Sequence, residues 1–91
     1  MANVAQRMEL LLVEHFSPRL LSIMDDSAKH AGHSGARAGG ESHFTVTIVS
    51  EKFVGQNAVA RHRAVYAALK PLIDEGLHAL AIQAKTPDEA A

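Results

Sequence analysis

The sequence contains no cysteine. Disulfides, thiolate metal sites, cysteine nucleophiles and a self-sufficient four-thiolate cluster site are thereby excluded together. The absence also suits a reducing compartment. A basic excess is missing too: nine Lys+Arg stand against ten Asp+Glu, for a formal net charge of −1. A dedicated nucleic-acid binder advertises such an excess, so affinity for DNA is expected to be weak unless charge segregates by face. Long apolar stretches are lacking. The longest run of large aliphatic residues is Leu10–Val13, far short of the ~20 residues of a membrane span. Met1-Ala2-Asn3-Val4 carries no charged-then-apolar leader pattern. The expectation is a soluble, cytoplasmic, unprocessed protein with no membrane partner. Catalytic patterns are equally scarce. No nucleophile stands beside a base, no carboxylates pair in a pocket-forming pattern, and no phosphate-binding loop motif occurs. An enzyme is not expected.

What remains is a chain of 91 residues, 47% hydrophobic and 21% charged. That is one ordinary globular domain over 1–91, with modest stability and no internal repeat. Its unusual feature is six histidines. Without cysteine, imidazole is the one borderline-soft metal ligand present in quantity.

Apolar spacing at Val4, Met8, Leu11, Leu12 and Phe16 predicts a helix over 3–15. Ser17-Pro18 ends it, because the residue before proline is pushed out of the helical region. Leu20 to Asp26 reads as a strand with Leu21 and Ile23 on one face. Residues 27–42 hold four of the six glycines and no large apolar side chain, which predicts a long flexible loop of functional type. Phe44, Val46 and Ile48 alternate with Thr45, Thr47 and Val49 as a half-buried strand. After a turn at 53–57, Asn57 caps a helix with Ala58, His62, Val65, Leu69 and Leu72 on one stripe. Pro71 breaks or kinks that helix, and Gly76 caps a short second turn. A third strand covers 78–84; Thr86-Pro87-Asp88-Glu89 could start a helix, but with so few residues after it 85–91 is expected to fray. The order predicts an α+β fold, α-β-β-α-(α)-β. The first two strands pair antiparallel and the outer crossover pairs parallel, so helices cover one face of a three-stranded mixed sheet.

Five ordered blocks carry a family likeness. They are Asp25-Asp26-Ser27 with Lys29-His30, Gly40-Glu41-Ser42-His43-Phe44, Phe53-x-Gly55, Arg61-His62-Arg63-x-Val65-Tyr66, and His78-Ala79-Leu80-Ala81. Over residues 8–84 the chain resembles the BolA family, in the type with histidine in the loop. The resemblance implies a fold like that of class II KH domains. It also implies partnership with a monothiol glutaredoxin, in which a 2Fe–2S cluster is shared. The glutaredoxin and glutathione supply thiolates, and the BolA-like chain supplies histidine. His78 matches the ligand near the end of the family pattern, and His30 matches the loop ligand. His33, three residues on, is an alternative loop ligand. The isolated chain is expected to be monomeric and to bind no cluster alone.

The remaining histidines have simpler readings. His62 is expected to pack in the helix stripe, His43 to serve the turn before its strand, and His15 to complement a helix C-terminus. Gly32-His33-Ser34-Gly35 spells the G-x-x-G of KH nucleic-acid clamps, but it lies between strands rather than helices. Arg61, Arg63, Lys70 and Lys52 form a candidate basic patch for an acidic partner or for phosphate. The resemblance also implies a rival function, since some BolA-like proteins are held to be DNA-binding regulators, with residues 57–76 acting like a helix-turn-helix.

Overall fold

Asn3 starts the first helix. Its side chain accepts a hydrogen bond from the Gln6 N–H, and the Gln6 side chain accepts in turn from the Asn3 N–H, a reciprocal capping box. The helix, α1, runs Val4–Phe16, and Ser17 closes it in the left-handed region at φ 43°. The chain leaves the helix before Pro18 as expected, through a left-handed residue rather than an extended one. The computed structural model describes residues 3–25, 43–77 and 79–91.

Three strands follow the expected plan. β1 is Leu20–Asp25, β2 is His43–Val49 and β3 is Ala79–Lys85. The sheet order is β1-β2-β3. β1 pairs antiparallel with β2 from Leu20↔Val49 to Asp25↔Phe44. β3 pairs parallel with β2 from His43↔Ala79 to Val49↔Lys85. Phe44, Val46 and Ile48 of β2 are buried while Thr45 and Thr47 are half-exposed, the period-two alternation of a strand covered on one face.

A 3-10 turn at Glu51–Phe53, absent from the sequence-based expectation, drives Phe53 into the core against Phe16, ring centroids 5.1 Å apart. Ser50 makes this corner possible. Its buried Oγ donates to the Phe16 carbonyl at 2.7 Å and accepts from the Lys52 N–H at 3.1 Å. Ser50→Ala strands that buried carbonyl. It is expected to cost about 1–3 kcal/mol, read as a lower midpoint in urea denaturation with an unchanged slope.

α2 spans Ala58–Ala68 with Asn57 as its cap, and α3 spans Lys70–Asp74. Pro71 falls in the first turn of α3, where its missing N–H is tolerated, so the proline separates two helices. Gly76, at φ 122°, then turns the chain toward β3. The core gathers Met8, Leu12 and Phe16 of α1 with Val65, Ala68, Leu69 and Leu72, all over the sheet's inner residues.

Two expectations need correction. His62 is exposed rather than packed. The predicted stripe is right in direction, but its first half does not reach the core. Ala58 and His62 instead border an open concavity of about 380 Å3, completed by Gln56, Asn57, Arg61, Ala84 and Glu89. The tail expected to fray forms a fourth helix, α4, Pro87–Ala90. Thr86 and Glu89 cap one another's N–H groups, and the Glu89 carboxylate grips Arg61. The expected long loop at 27–42 lies outside the described residues.

Candidate functional site

The three histidines singled out as ligands, His30, His33 and His78, lie outside the described residues, as does Gly32-His33-Ser34-Gly35. The described residues that bracket them meet at one end of the sheet. Asp25 ends β1 opposite Phe44, and His43 opens β2 opposite Ala79. Adjacent strands stand about 4.8 Å apart. Asp25, His43 and Ala79, the described residues that flank positions 26–42 and 78, are therefore neighbours in space. The residue before position 78 is anchored too: Leu77 is buried and its N–H donates to the Leu72 carbonyl at 3.1 Å. His43, read from the sequence as a turn residue, is half-buried at this same sheet end.

Among the described residues, no group of three or more His, Asp or Glu comes together to hold a metal. The chain's donor chemistry is imidazole and carboxylate, with no thiolate. A sulfur-bridged cluster bound by the predicted histidines can take thiolate ligands only from another molecule.

The four candidate cations do not form one patch. Arg61 is largely covered, its side chain 14% exposed, and its guanidinium is committed inside the protein. Nε donates to the Gln56 carbonyl at 2.8 Å and Nη1 to the Ala84 carbonyl at 3.0 Å. The fork also meets both oxygens of Glu89, at 2.6 and 3.2 Å. That contact, with help from the Thr86 N–H, holds the Glu89 carboxyl down at about 2. Lys70 reaches one turn along to Asp74, at 2.9 Å. Lys52 lines a separate concavity with Arg19 and Glu51, which are themselves ion-paired. Arg63 is exposed on α2, a helix that contains no acidic residue. Nor do α2 and α3 make a helix-turn-helix. One residue, Leu69, joins them, and α3 has five residues, against the three- to four-residue turn and full second helix of that motif.

Two structural roles went unread in the sequence. Tyr66 Oη donates to the Leu80 carbonyl at 3.3 Å, and Arg61 caps the Ala84 carbonyl in the same way. Together they cover the outer edge of β3. Thr86-x-x-Glu89 is a legible capping-box pattern and marks the last turn, but its grip on Arg61 has no local signal. At the other side of the fold, Arg7 and Glu75 form a two-pronged pair at 2.7 and 2.6 Å. The Arg7 guanidinium holds the Glu75 carboxyl below the ordinary carboxylate range.

Comparison with known proteins bears on the whole fold. The family profile described as "BolA-like protein" matches residues 12–89. "Protein BOLA1, chloroplastic" of Arabidopsis thaliana is 49% identical over 90 residues, covering 97% of this chain and 56% of that protein. "DNA-binding transcriptional regulator BolA" of Escherichia coli is 36% identical over 86 residues, covering 94% of this chain and 78% of that one. Among solved structures, "BolA1 from Arabidopsis thaliana" superposes with a TM-score of 0.86 at 44% identity, covering all of both chains. Among the described residues, no helix is long and apolar enough to cross a membrane.

Proposed function

This chain belongs to the BolA-like protein family, and on that premise we propose that it is a non-enzymatic partner of a monothiol glutaredoxin in 2Fe–2S cluster assembly, trafficking or iron sensing. It contributes His78 and one loop histidine, His30 or His33, to a cluster whose thiolates come from the glutaredoxin and glutathione. The supporting observation is the convergence of the residues that bracket these histidines at a single sheet end. A cysteine-free chain cannot complete a cluster's ligand set with thiolates of its own, so sharing is the natural chemistry. The cluster is then cargo, and the reducing cytoplasm suits both the cargo and the free thiolates of the partner. Anaerobic reconstitution of a monothiol glutaredoxin with glutathione, iron and sulfide, with and without this protein, tests the proposal. A heterocomplex spectrum distinct from that of the glutaredoxin alone supports it. An unchanged spectrum rejects it.

A second reading is favoured by one relative, the Escherichia coli protein named as a DNA-binding transcriptional regulator. On this chain the phosphate contacts fall to Arg63 and Lys52, because Arg61 is engaged within the fold. If DNA binds here, Arg63→Ala lowers the slope of log affinity against log salt by about 0.9, the value for neutralising one phosphate fewer on duplex DNA. Arg61→Ala leaves that slope unchanged. A salt titration of a labelled duplex reads both, and a slope unmoved by Arg63→Ala counts against this surface.

A further inference from the structure

The two edges of the sheet are treated differently. On β3, the outward carbonyls of Leu80 and Ala84 are capped by Tyr66 and Arg61. Among the described residues, β1 forms the opposite edge. It carries no proline and no lysine, the usual devices that blunt an edge strand. It also presents Leu20 and Met24 at 51% and 54% exposure.

The sequence of this edge is complementary to itself. Read antiparallel about Ser22, the segment Arg19-Leu20-Leu21-Ser22-Ile23-Met24-Asp25 sets Arg19 against Asp25, Leu20 against Met24, and Leu21 against Ile23. This register keeps each side chain on its proper face, because the paired positions differ by an even number. The exposed Leu20 and Met24 then cover one another twice on the open face. Leu21 and Ile23, half-buried, meet on the covered face beside a groove of about 220 Å3 that α1 leaves open along Ala5, Gln6 and Glu9. At both ends Arg19, which meets Glu51 within its own copy, lies opposite Asp25 of the other copy.

We propose that β1 is a self-association edge, and that its occupant is β1 of a second copy, antiparallel and centred on Ser22. The result is a two-fold dimer with a continuous six-stranded sheet. Because the contact is isologous and two outward carbonyls of the β3 edge are already engaged, assembly stops at two copies. The dimer replaces the monomer expected from the sequence, and it does not depend on the cluster-sharing proposal. With one short strand from each copy, it is a weak, concentration-dependent association rather than an obligate one.

The absence of cysteine gives a clean test. Ser22→Cys places two thiols opposite each other at the dyad, where cross-strand Cβ atoms lie about 4.5–5.5 Å apart, close to disulfide spacing. Under mild oxidation of the full chain it forms a covalent dimer at least ten times faster than Val59→Cys, an exposed control on α2. Sedimentation equilibrium of the untagged protein shows mass rising with concentration toward two chains. Arg19→Asp weakens that rise about tenfold, and adding Asp25→Arg restores it. Ser22→Lys, with like charges opposed at the dyad, abolishes it. Circular dichroism of each variant confirms that the monomer stays folded. A monomer at every concentration overturns the proposal. So does a dimer that ignores Ser22→Lys, or one that cross-links faster through Val59→Cys.

Discussion

In His78→Ala, the visible absorption and circular dichroism of the mixed reconstitution are expected to collapse to those of the glutaredoxin with glutathione alone. Imidazole and thiolate ligands perturb the cluster differently. Replacing thiolate by histidine on one iron raises the reduction potential, and the charge-transfer bands respond to the same change. Removing His78 leaves the cluster a single imidazole from this chain, that of His30 or His33, and one imidazole competes poorly with thiolates. His30→Ala and His33→Ala then divide the remaining question. The variant that repeats the His78→Ala result carries the loop ligand, and the other retains the heterocomplex spectrum. Only neutral imidazole binds iron, so the wild-type heterocomplex weakens as pH falls through the histidine range. The thermal midpoint of each variant, measured alone, separates a lost ligand from a lost fold.

Arg61→Ala is expected to destabilise the protein by about 2–3 kcal/mol, from charged hydrogen bonds to backbone carbonyls that are broken. For a domain of this size that lowers Tm by roughly 10–20 °C. The guanidinium joins three separate parts of the chain: the Gln56 carbonyl before α2, the Ala84 carbonyl on β3, and Glu89 on α4. Its removal frees the last turn and uncaps the β3 edge at once. Arg61→Lys keeps the charge but loses the fork, and recovers only part of the stability. Arg63→Ala, on the exposed side of the same helix, stays within about 0.5 kcal/mol of the parent.

The same contact has an acid limit. The Glu89 carboxyl is lowered from its usual 4.5 to about 2 in the folded protein. Its contribution is therefore fully present above about pH 4.5 and is lost as pH falls toward 2. Arg61→Ala and Glu89→Gln both shrink that segment of the pH–stability curve, followed by thermal melts between pH 5 and pH 2.

The sequence alone determined the order of elements, the half-buried alternation of β2, the cap at Asn57 and the proline-separated helices. Each of these follows from short-range rules: period two, period 3.6, and the backbone limits of proline and glycine. The candidate ligands, His78 with His30 or His33, rest on the five-block pattern and on a donor set without thiolate, and they lie outside the described residues. Tertiary structure decided where the basic side chains are spent. Arg61 and Arg63 are two residues apart and chemically alike, yet one is clasped by Glu89 from 28 residues away while the other is exposed. That difference depends on which side of α2 meets β3, and on a last turn held by its own capping box. His62 shows the same limit. Its angular position predicts burial, but at that turn of α2 it is Arg61 that lies against β3, and His62 is exposed. Periodicity gives the direction of a side chain; only packing shows how far the core extends beneath it.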